Sequence, residues 1–88
     1  MEHTVTVPDY SPATGVRLEW DEGFIISVGH TERTTIVRAN RAGLVSLARH
    51  LLTPAQENVP PGRHIHLDAL NALDNDSEEI IFERAEPG

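Results

Sequence analysis

The chain has 88 residues, no cysteine, and fourteen acidic side chains against seven basic ones, all arginine, for a formal charge of -7. A chain this short builds one modest core, and without thiols it has neither a disulfide framework nor a thiolate zinc site. The acidity argues against nucleic acid and anionic membranes as partners and suits either the docking of a basic protein or solubility alone, and no run approaches the roughly 18 apolar residues of a membrane span.

The opening Met1-Glu2-His3-Thr4 lacks the basic and apolar segments of a signal peptide, so a cytoplasmic location is expected. Period-2 alternation at Val5 and Val7, and again at Val16, Leu18 and Trp20, reads as strand in both places. Asp21-Glu22-Gly23 is a short turn into Phe24–Val28, which gives a hairpin from 16 to 28. Gly29 to Arg33 is a polar loop, and the β-branched run Thr34–Arg38 after it forms a second hairpin with the middle strand.

The period then changes. Leu44, Leu47, Ala48 and Leu51, widened by Val45 and Leu52, form the apolar stripe of an amphipathic helix, with Asn40 as N-cap and its end near Thr53 and Pro54. Residues 53 to 62 are a loop, 63 to 68 a strand, 71 to 77 a polar connection, and 79 to 84 the last strand. The expected fold is α+β: one domain over residues 1–88 whose mostly antiparallel five-stranded sheet, in the order β-β-β-α-β-β, carries one helix on one face. Residues 1–23 supply the opening strands and 85–88 a frayed tail.

A helix of about 12 residues spans roughly 18 Å and shields three or four strands. Phe24 to Val28, Ile36-Val37 and Ile80-Ile81-Phe82 are apolar in both registers, so some side chains need another cover. The candidates are the segment carrying Tyr10, a second copy of the chain, or another protein.

In the strand His64-Ile65-His66-Leu67-Asp68, alternation puts His64, His66 and Asp68 on one face. They are either metal ligands or the wet face of a half-buried strand. A closed metal site wants four ligands and a catalytic one three with second-shell support; His3, His30 and His50 are not aimed at this row, and no histidine follows His66. The wet-face reading is favoured and no cofactor is expected. None of Ser11, Ser27, Ser46 and Ser77 sits in a nucleophile elbow, Asp74 to Glu78 lacks the glycine and spacing of a calcium loop, and no glycine-rich phosphate loop occurs. A non-enzymatic protein is expected.

Asn40-Arg41-Ala42-Gly43-Leu44 opening a helix with Leu47-Ala48, then Pro61-Gly62-Arg63-His64-Ile65-His66-Leu67-Asp68, Leu73, Ser77-Glu78-Glu79 and Ile80-Ile81-Phe82-Glu83, resembles the immunity protein 32 family of bacterial polymorphic toxin systems. The resemblance covers about residues 24 to 84 and carries over no catalytic residue. It implies a protein that binds and neutralises a cognate toxin encoded beside it. On this reading Asp68, Asp74, Asp76, Glu78 and Glu79 pair with basic toxin residues, Ile81 or Trp20 is an apolar anchor, and His64 and His66 share the binding strand. Two other readings remain: a small metal-binding protein using His64, His66 and Asp68, and a homodimer.

Overall fold

The computed structural model describes residues 1–86. In chain order the elements are β1 (Ile26–Thr31), β2 (Thr34–Ala39), α1 (Arg41–Leu52), a 3-10 turn (Thr53–Ala55), β3 (His64–Leu67) and β4 (Ile80–Glu83). β1 and β2 form an antiparallel hairpin registered from Ile26 opposite Ala39 to Thr31 opposite Thr34. The loop expected over 29 to 33 shrinks to Glu32-Arg33, with Glu32 at φ 50°, the left-handed backbone that so short a connection demands. β3 and β4 form the second antiparallel hairpin, from His64 opposite Glu83 to Leu67 opposite Ile80.

The five-stranded sheet is therefore corrected, among the described residues, to four strands in two separate two-stranded sheets. Residues 16 to 20 do not join a ladder; the bonds that hold the end of this segment run to side chains of the helix, at the Glu19 carbonyl and the Asp21 amide. Arg49 Nη1 and His50 Nε2 both donate to the Glu19 carbonyl, and the Asp21 N–H donates to Ser46 Oγ. The expected 16–28 hairpin thus reduces to its turn, closed by Phe24 N–H on the Asp21 carbonyl. Nor do the two hairpins merge. Residues 74 to 78 run beside β1, with Asp74 N–H on Ile26 O and Glu78 N–H on Val28 O, both at 2.8 Å, but a turn at Asp74–Ser77, with Asp76 at φ 69°, breaks the ladder before β4.

The first residues also follow the helix. Thr6 O accepts from Arg49 Nε, Pro8 O from Gln56 Nε2, and Tyr10 exchanges backbone bonds with the side chains of Gln56 and Asn58. Val5 and Val7 belong to no strand, and Tyr10 is buried beside Gln56 and Asn58, outside the core cluster that the two hairpins share. Of the tail expected at 85–88, residues 85 and 86 lie in no regular element, and 87 and 88 fall outside the described residues.

The predicted N-cap is in place: Asn40 Oδ1 accepts from Gly43 N–H at 2.8 Å and from Ile25 N–H at 3.0 Å, while its Nδ2 donates to Gly23 O. The buried face of α1 differs from the expected stripe. It consists of Gly43, Ser46, Leu47 and His50, while Leu44, Leu51 and Leu52 are 56%, 47% and 49% exposed. Gly43 permits this rotation, since a Cβ there would come within 2.6 Å of the Ile25 carbonyl oxygen. Ser46 and His50 reinforce it by binding the segment from 19 to 21. Only Leu47 belongs both to the predicted stripe and to the core, which it shares with Ile26, Val28, Ile65, Leu67 and Leu73. That core draws on both hairpins, and the outer side of β3–β4 is left to water.

Candidate functional site

Strand alternation and register together place six side chains on the outer face of the second hairpin. Ile65 and Leu67 point into the core, so His64 and His66 point out, and pairing sets Glu83 beside His64 and Ile81 beside His66. Beyond the ends of the strands, Asp68 and Glu79 extend the same row. Ile81 is 50% exposed at its centre.

The row is organised around His66. Its Nε2 lies 2.8 Å from Glu79 Oε2 and 3.3 Å from Asp68 Oδ2. Asp68 is held by the turn that follows it: Oδ1 accepts from Leu70 N–H and Asn71 N–H, leaving Oδ2 for the imidazole. Asn71 braces both residues, its Oδ1 accepting from Asp68 N–H and its Nδ2 donating to His66 O. His64 takes no part in this cluster, because its Nδ1 is 3.2 Å from Gly62 O.

The remaining acidic candidates divide between two places. Asp74, Asp76 and Glu78 lie on the connection beside β1, where Glu78 pairs with His30, while Glu79 turns to the His66 face. Trp20 sits away from this row, stacked on Phe24 at 4.5 Å and edge-on to His50 at 4.1 Å, where it packs against the core. Glu83 was absent from the expected set, although the alternation Glu79, Ile81, Glu83 already put it on the face. The exposed leucines of α1 were missed because an apolar helical stripe ordinarily turns inward.

An apolar groove of about 380 Å³ adjoins the face. Ile81 and Phe82 of β4 form one side, Leu51 and Pro54 the other. The row's acidic side chains, its half-exposed isoleucine and this groove suit a partner carrying basic groups around an apolar projection.

A buried histidine, His50, lies elsewhere. Burial lowers the His50 pKa below the ordinary 6.5, an effect that the Glu19 carbonyl opposes and Arg49 adds to. The neutral ring donates from Nε2 to Glu19 O at 2.8 Å, and Nδ1 is buried without a partner. This histidine has an anchoring geometry, closed to any substrate.

Among the described residues, no helix is long and apolar enough to cross a membrane. A family model described as Immunity protein 32 matches residues 34–85, a span that includes β2, α1 and the whole β3–β4 hairpin. No curated protein and no solved structure matches the chain.

Proposed function

This chain belongs to the immunity protein 32 family, and on that premise we propose that it is a non-enzymatic inhibitor that binds and neutralises a cognate bacterial toxin through the outer face of β3–β4. The observation that carries this reading is the row His64, His66, Asp68, Glu79, Ile81 and Glu83: three carboxylates and two imidazoles around a half-exposed isoleucine, held on a hairpin whose other face is core. Carboxylates at such a face speed encounter with a basic partner, and an apolar residue at its centre slows dissociation once water is excluded. Asp74, Asp76 and Glu78 extend the negative field along β1. The groove between Leu51 and Ile81 receives an apolar side chain of the toxin. Inhibition on this reading is steric, by occupation of the toxin's working surface.

The test is co-expression with the toxin encoded beside the gene. The native chain restores growth, while Ile81→Asp combined with Glu79→Arg abolishes both rescue and co-purification at an unchanged melting temperature. Full rescue by that double variant would overturn the assignment of this face. For the native pair, association should slow as salt is raised from about 0.05 to 0.5 M, because screening at a Debye length below about 10 Å removes long-range steering.

A further inference from the structure

We infer that His66, Asp68 and Glu79 form a binding site for a first-row divalent ion of the zinc class. One donor atom from each of the three lies within 4.8 Å of the other two. Zinc bonds of about 2.1 Å in a tetrahedral shell separate neighbouring donors by roughly 3.4 Å. The 3.3 Å between His66 Nε2 and Asp68 Oδ2 already fits that edge, and the 2.8 Å to Glu79 Oε2 opens to it by a small rotation of the half-exposed glutamate.

Two further observations separate this cluster from an ordinary surface ion pair. An imidazole nitrogen carries one proton or one lone pair, yet two carboxylate oxygens converge on Nε2, and among the described residues neither Asp68 nor Glu79 has another ion-pair partner. A divalent ion would satisfy both carboxylates and the imidazole lone pair together. The support for the ligands is also built in, since Asp68 Oδ1 is tied to Leu70 N–H and Asn71 N–H, and Asn71 holds the backbone of both His66 and Asp68. Such bracing fixes which carboxylate oxygen faces the ion and lowers the ordering needed on binding. An imidazole among the donors selects zinc, nickel or cobalt over magnesium or calcium, and the exposed side of the cluster admits water to complete the shell. The sequence motif points to His64, His66 and Asp68; the fold replaces His64, whose ring faces Gly62 O, with Glu79, the residue just before β4.

Titration calorimetry of the whole chain with zinc chloride at pH 7, in a buffer that does not chelate zinc, should give one equivalent bound at micromolar concentration. Glu79→Gln and His66→Ala should each weaken binding at least tenfold with the circular dichroism spectrum unchanged, and His64→Ala should leave it within twofold. In the native chain, zinc should move the ring resonances of His66 and leave those of His64 in place. Absence of saturable binding below 1 mM, or an equal loss in His64→Ala, would overturn the site. The toxin-binding reading is independent of that outcome, since it requires only the charge and shape of the face.

Discussion

His50 shows how a residue can be essential to the fold without marking a reaction site. From the sequence it is only a histidine beside an apolar stripe; the fold puts it under Trp20 with one nitrogen on the Glu19 carbonyl and the other without a partner. The unfolded chain protonates this ring near pH 6.5, whereas burial makes the folded chain resist until a lower pH. Between those values the unfolded state holds more protons, so the contribution of His50 is complete above pH 6.5 and is lost as pH falls through the lowered folded value. Urea melts at pH 7 and pH 5 should show the native chain losing stability on acidification. His50→Gln, which keeps a donor for Glu19 O, should be less stable at pH 7 yet show a smaller difference between the two pH values. An equal difference in both proteins would exclude His50 as the cause. Glu83 is the opposite case, fully legible from alternation once the strand is drawn.

The helix was legible in its bounds and its cap but not in its orientation. Periodicity identifies where an apolar stripe lies on a helix, and ordinary packing turns it inward. Here Gly43 admits a closer approach on the adjacent side, and the polar groups of Ser46 and His50 have partners there, so the leucines are left outside. Substitution should follow the observed face. Leu47→Ala should cost about 2–5 kcal/mol, as expected for a buried leucine, whereas Leu51→Gln should change stability by about 0.5 kcal/mol or less. In Gly43→Ala, clash with a backbone oxygen that has little room to move costs about 1–3 kcal/mol, exceeding the roughly 1 kcal/mol gained in helix propensity. Urea midpoints rank the three. A Leu51→Gln protein as unstable as Leu47→Ala would reverse the assignment of the buried face.

At the scale of the molecule, the β1–β2 hairpin, the helix and the two later strands could be read from local pattern, because each carries its own alternation or helical periodicity. The sheet number could not. Residues 16 to 20 carry a strand's alternation, but the Glu19 carbonyl is taken by Arg49 and His50 and the next residue with a bond, Asp21, donates to Ser46, 25 to 31 residues away, and no local pattern announces such partners. The segment matching the family begins inside this architecture, at β2, and omits β1 with its buried Ile26 and Val28 as well as Tyr10. A chain trimmed to residues 34–85 should accordingly give no cooperative thermal transition by circular dichroism and poorly dispersed amide resonances. A cooperative melt from that fragment would show the preceding 33 residues to be dispensable for folding.

Both ladders stop at two strands, and β2 is exposed along nearly its whole length. Half the amides of such a rim find their only partners in solvent, which makes it a template onto which a foreign extended segment can dock. At the high concentrations used for crystallisation or long storage, Thr34–Ala39 is therefore where lateral polymerisation would start. A lysine introduced at Val37 is the guard that would suppress it.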